Sequence, residues 1–299
     1  MIRRRLGPYG GLRVRPGSAG GTLVGEGRAQ MSVEWETVES GPAAADRTVL
    51  LIPGGLMSAR SYAELMAQPA LSGVRLVTVT LPGHAGAPPP EDFSIETCAR
   101  HAADLAAGLG CDAVVGFSFG ATVALEMAAS GAFRGPVVLL GISLSSRDEP
   151  ALLRALNRLS VVLGSLPWAV MLKLIGLATK QARVSADRRA QLLADFRRND
   201  PRVMRQGFRG YLEYLGRYDA PAARLCDAGV PAWVVHAEKG DGALTGQERR
   251  TLEACPQTTV VTIPGTSYFI PNDEPERVAS LLIEALGRVA EPKDRQKSP

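Results

Sequence analysis

The segment GFSFG at residues 116–120 holds Ser118 between two glycines, after the apolar run AVV and before the helix-patterned ATVALEMAAS. A serine at a strand-to-helix turn is exposed for attack. Glycines on either side permit the strained backbone and the close approach of neighbouring chain that such a turn demands. A serine hydroxyl attacks poorly, however, until a base takes its proton. Three histidines could supply that base: His84, His101 and His236. His101 falls inside a helical pattern, where a surface or packing role is expected. His236 ends an apolar run and could approach the serine.

The elements that must position Ser118 follow from the apolar runs. TVLLIPGG (48–55), VRLVTVTLPG (74–83), CDAVVGFS (111–118), GPVVLLGIS (135–143), VPAWVVHAE (230–238) and TTVVTIPG (258–265) are short and end in glycine or a turn. Such runs mark strands buried on both faces, as in a parallel sheet. Helical patterns at 94–110 and 274–290 fill intervals between them. SVEWETV at 32–38 alternates apolar and polar residues, which suits an antiparallel strand at the sheet edge. Together these predict an α/β fold, a doubly wound and mostly parallel sheet. The alternation stops over 146–225, where only helical patterns occur, so an inserted helical lid is expected there. The core is then 31–145 and 226–290, with a disordered tail over 291–299.

Bulk properties exclude several functions. The net charge of +4 resides in residues 1–30, where six arginines face Glu26 alone. The rest is nearly neutral and gives no basic face for nucleic acid. Residues 1–30 lack the apolar stretch of a secretion signal and read as a disordered, basic, Gly/Arg-rich extension. No run reaches the ~18 apolar residues of a membrane span. Cys98, Cys111, Cys226 and Cys255 have neither CxxC spacing nor the density of a disulfide scaffold, so reduced thiols in a cytoplasmic protein are expected. No metal or cofactor is expected.

The ordered motifs resemble those of the α/β-hydrolase superfamily from about residue 31 to 288. GFSFG matches its nucleophile elbow. LLIPGGLMSARSY (51–62) is similar to its first oxyanion loop, with Pro53 where histidine is usual. The resemblance implies the backbone N–H groups of Gly55 and Phe119 as oxyanion donors, with Leu56 also placed against substrate. TLPGHAGAP (80–88) is similar to a further family loop, in which His84 is structural. VVHAEKGDGALT (234–245) matches the strand and loop that carry the catalytic acid. The expected position falls at Gly240, leaving Asp241 to serve, ahead of Glu238 and Asp148. At the family's histidine position, within IPGTSYFIPNDEPE (263–276), this chain has Tyr268.

The resemblance implies a serine hydrolase or acyl transferase acting on a small apolar ester, lactone or thioester, with a degenerate triad of Ser118, Asp241 and Tyr268. Two alternatives stay open. One is a lyase, isomerase or cyclase using Tyr268 and Ser118 as hydrogen-bond donors, and the other is an inactive ligand-binding member of the fold. Leu163, Leu166, Trp168, Val170, Met171 and Leu174 are expected to line an acyl pocket or to pack the lid on the sheet. Arg202, Arg205 and Arg209 form one helical stripe, read as a solvated face.

Overall fold

The computed structural model describes residues 13–17, 35–178, 184–218, 220–238, 244–265 and 268–289. In chain order the first half holds β1 (Arg13–Gly17), β2 (Trp35–Ser40), β3 (Thr48–Ile52), α1 (Ala63–Met66), β4 (Arg75–Thr80), α2 (Ile95–Leu109), β5 (Ala113–Phe117), α3 (Phe119–Ala129) and β6 (Val137–Leu140). Four helices follow: α4 (Ala151–Leu163), α5 (Leu166–Ala178), α6 (Ala186–Arg197) and α7 (Pro201–Arg217). The chain returns through α8 (Pro221–Asp227), β7 (Ala232–Ala237), α9 (Gly246–Glu253), β8 (Thr258–Ile263), α10 (Ile270–Asp273) and α11 (Pro275–Gly287).

The eight strands lie in the order β1-β2-β4-β3-β5-β6-β7-β8. β1 and β2 are antiparallel to their neighbours, and β4 through β8 run parallel. Each expected apolar run forms a strand. β3 (TVLLI) and β5 (AVVGF) are buried along their whole length, as central parallel strands must be. The last run, β8, is only half-buried because it pairs with β7 alone and forms the sheet edge. The chain leaves β3 toward β4 on one side, then crosses to β5 on the other. The strand order therefore reverses between β3 and β5, and a crevice opens at their carboxyl ends. Gly54 and Gly55 follow β3 there, and Ser118 follows β5.

Three expectations change. The 1–30 extension was expected to lack structure, yet its residues 13–17 pair with β2; the remainder lies outside the described residues. The antiparallel edge strand expected over 32–38 is thus covered on its outer side by β1. Pro16 fits this position, because an outermost strand tolerates a residue with no N–H to donate. Cys226 and Cys255 were expected to be reduced, but they form a disulfide with Cα atoms 5.8 Å apart. The packing of α8 against α9 brings together two cysteines that no local spacing connects. Cysteine usage then no longer argues for a reducing compartment. Finally, Leu163, Leu166, Val170 and Leu174 do not pack the helices onto the sheet. All four are exposed, whereas Trp168 is fully buried and Met171 half-buried against the core. Among the described residues no helix is long and apolar enough to cross a membrane.

Candidate active site

Ser118 joins β5 to α3 with φ 51° and ψ −117°, a conformation L-residues rarely adopt. Its N–H donates to the Leu140 carbonyl at 2.8 Å, and its carbonyl accepts from Ala121 at 2.8 Å. The flanking glycines are sterically required. A Cβ on Gly116 would sit 2.3 Å from the Gly120 carbonyl oxygen, and one on Gly120 would sit 2.3 Å from that of Ile52. The turn therefore presses α3 directly against the end of β3. Strain of this kind costs on the order of 1–3 kcal/mol and persists only where surrounding structure enforces it.

Gly55 and Phe119 face one another across this contact, with a Cβ on Gly55 lying 3.6 Å from the Phe119 Cβ. Among the described residues, neither backbone N–H has a hydrogen-bond partner. They are thus available to stabilise negative charge on a carbonyl oxygen. Leu56, the other residue expected against substrate, is part of the loop's frame. Its side chain is buried, its φ is 69°, and its N–H donates to His84 Nδ1 at 2.8 Å.

His84 orders this loop. Accepting at Nδ1 leaves its proton on Nε2, and full burial pulls its pKa down to about 4, so the ring is neutral. Asn199, buried between α6 and α7, completes the clasp. Its Nδ2 donates to the Leu56 carbonyl at 2.9 Å, and its Oδ1 accepts from the Ala85 N–H at 2.8 Å. The described non-glycine residues with positive φ are Leu56, Ala85 and Ser118, so the strained backbone is concentrated at this site.

The hydroxyl of Tyr268 donates to Ser118 Oγ. A phenol is therefore the group in contact with the serine oxygen. Tyr268 belongs to a wider polar column along α3, whose positions 118, 122 and 126 share one helix face. Ser118 meets Tyr268. Thr122 lies beside the Tyr211 hydroxyl, which donates to the buried Glu149 at 2.7 Å. Glu126 accepts from Tyr214 at 2.7 Å and pairs with Arg224 at 2.8 Å. Burial first, then the Glu149 carboxylate and Tyr268, push the Tyr211 phenol well above its usual range. It remains a protonated donor at any physiological pH.

The other sequence candidates are placed as follows. Asp241 lies outside the described residues. Glu238 accepts from the Gly265 N–H at 2.6 Å and fixes the turn after β8. Asp148 accepts from Leu144 and Ser145 at 3.1 and 2.7 Å, within its own loop. His236 is buried in β7, level with Ser118 along the sheet but two strands away, about 10 Å at the usual strand spacing. His101, on α2, lines a cleft with His84 and Phe119 and makes no described hydrogen bond to Ser118. Glu149, Tyr211 and Asn199 escaped sequence reasoning. A carboxylate closing the loop after a buried strand, followed by Pro150, is the one local signal that could have drawn attention to Glu149.

The sequence matches the profile of the alpha/beta hydrolase family over residues 49–281. No curated protein matches it by sequence. Among solved structures it resembles a thermophilic esterase from Thermogutta terrifontis, at 17% identity and TM-score 0.70, over 88% of this chain and 97% of the esterase. It also resembles the thioesterase domain of the curacin biosynthetic pathway, at 19% identity and TM-score 0.64, over 91% and 99%. An N-acyl homoserine lactonase, in complex with N-hexanoyl homoserine, aligns at 15% identity and TM-score 0.68, over 95% and 99%. At these identities the likeness is one of fold.

Proposed function

Because the chain belongs to the alpha/beta hydrolase family and is a hydrolase-type enzyme of that fold, we propose that it cleaves or transfers the acyl group of a small apolar ester, lactone or thioester, with Ser118 as nucleophile. The observation that carries this reading is the Tyr268 hydroxyl on Ser118 Oγ, beside two unpartnered amides. A substrate carbonyl seated over Ser118 would direct its oxygen at the N–H groups of Gly55 and Phe119. Such donors are worth about 10²–10³-fold each in acyl transfer, because they are already aimed at the charge that develops.

Tyr268 decides the rate. A phenol that donates to Oγ holds the serine oxygen without taking its proton. As the phenol ionises it can take the Oγ proton while Oγ bonds to the carbonyl carbon. It returns that proton to the departing alkoxide or thiolate when the carbon–leaving-group bond breaks; water or an acceptor then attacks the acyl-serine, giving up its proton to the phenolate, and Oγ leaves with that proton. Hydrolysis should therefore be slow as long as the phenol keeps its own proton. We expect the helical insertion over 146–225 to act as a lid, with Phe119, Phe208 and Tyr211 as its apolar wall. Fluorophosphonate labelling tests the reading, since covalent capture at Ser118 requires an attackable hydroxyl.

A second reading is favoured by the same pair of hydroxyls. Two adjacent donors facing an apolar wall suit a lyase, isomerase or cyclase that polarises a carbonyl without attacking it. Turnover without labelling would support that alternative. Ligand binding without either would leave a binding protein.

A further inference from the structure

Among the described residues nine large apolar side chains are exposed, and eight of them lie on α4 and α5, the ninth being Ile283. In the last turn of α4, Val161 and Val162 are 78% and 85% exposed. On α5, Leu166, Val170 and Leu174 recur at helical spacing and form one outward stripe, while Trp168 and Leu172 face inward and are buried. A concentration of this kind on a soluble domain marks an interaction surface.

The charges beside it are of one sign. No Asp or Glu occurs between Glu149 and Asp187. Arg158 on α4 and Lys173 on α5 are exposed, and neither enters an ion pair among the described residues. A second copy of the chain fits this surface badly, because a two-fold contact would set those cations against their own counterparts. An anionic lipid surface fits both properties. Aliphatic side chains enter the acyl boundary while Arg158 and Lys173 stay at the headgroups.

We propose that the α4–α5 hairpin docks the protein onto an anionic lipid surface through the ridge from Val161 to Leu174. The inner face of the same helix leads toward the catalytic centre. Trp168 stacks on Phe208 with ring centroids 4.9 Å apart, and the Phe208 ring lies 3.5 Å from where a Gly55 Cβ would stand. Docking would thus set the lipid phase one aromatic layer from the oxyanion loop. This inference does not depend on the catalytic reading, since the ridge and the serine are separate features.

The test is flotation of the full chain with vesicles of phosphatidylcholine alone and of phosphatidylcholine mixed with phosphatidylglycerol, at low and high salt. Wild type should float with the mixed vesicles and far less with the neutral ones, and salt should weaken binding. Replacing one cation, as in Lys173→Ala, should cost about fivefold. The double variant Val162→Glu/Leu166→Glu should lose at least tenfold in partitioning with an unchanged melting temperature, since both side chains are exposed. Ser118→Ala should bind as wild type does, whatever its activity. Equal binding to both vesicle types would overturn the proposal. So would retained binding by the double variant, which would assign attachment to the arginines of residues 1–30. A concentration-dependent dimer that the double variant abolishes, without vesicle binding, would overturn it in favour of a contact between copies.

Discussion

Tyr268, on the loop after β8, donates its phenolic hydrogen to Ser118 Oγ at the head of α3. The contact joins the loop after β8 to the turn between β5 and α3. If the missing base alone limits hydrolysis, Tyr268→His should raise turnover of a p-nitrophenyl acyl ester at pH 7. A positioned base contributes about 10²–10⁴-fold, so a gain in that range is the outcome to look for. Ser118→Ala in the same background should abolish it. A fast wild type that Tyr268→His slows would make the tyrosine itself the working group and favour the non-hydrolytic reading.

Tyr211 and Glu149 form a buried neutral–anionic pair joined at 2.7 Å. Tyr211→Phe removes the donor and leaves the carboxylate oxygen without it. The expected cost is about 1–3 kcal/mol of stability, measured by urea unfolding. Tyr211→Phe/Glu149→Gln should recover part of it, because the buried charge is then gone.

His84 gives stability a defined pH dependence. Its folded pKa is about 4, below the ordinary 6.5, so the unfolded chain binds the proton first as pH falls. The stability gained by keeping the ring neutral is complete above about pH 6.5 and is lost progressively down to about pH 4. The loss amounts to roughly 3 kcal/mol. His84→Ala should be less stable at pH 7 but show a flatter profile between these limits, read as unfolding midpoint against pH.

The Cys226–Cys255 bond closes a loop with a sequence separation of 29 residues. In the chain-entropy account its reduction costs about 3–4 kcal/mol. Cys226→Ser should lower the melting temperature, and dithiothreitol should lower that of wild type but leave the variant unaffected. Cys98 and Cys111 should react slowly with thiol reagents at neutral pH, since burial pushes both thiols up to about 12.

The sheet and the elbow were legible because each rests on a local pattern. Buried parallel strands read as unbroken apolar runs, and Gly116 and Gly120 stand where backbone atoms approach within 2.3 Å of a would-be Cβ. Ser118, Tyr268, Gly55 and Phe119 are named by motifs that resemble the family's, and they lie together in space. The Glu149–Tyr211 pair could not be named that way, since it joins positions 62 residues apart and depends on how α7 lies over α3. The disulfide failed for the same reason. The apolar tract over 160–174 misled differently. Its hydrophobicity reads equally as core or surface, and only packing reveals that Trp168 turns inward while Leu166, Val170 and Leu174 turn out.

Asn199 ties the start of α7 to both loops that frame the oxyanion site, through Leu56 and Ala85. Ser58 extends the same seam by donating to Asp195 on α6. Loss of the Asn199 side chain would release the Leu56 carbonyl and relax the left-handed backbone next to Gly55. Within the helical insertion, α6 and the start of α7 are thereby tied to both loops, while α5 rests on α7 through the Trp168–Phe208 stack. The conformation of the Gly55–Leu56 turn is thus set jointly by the sheet and by a side chain of the insertion.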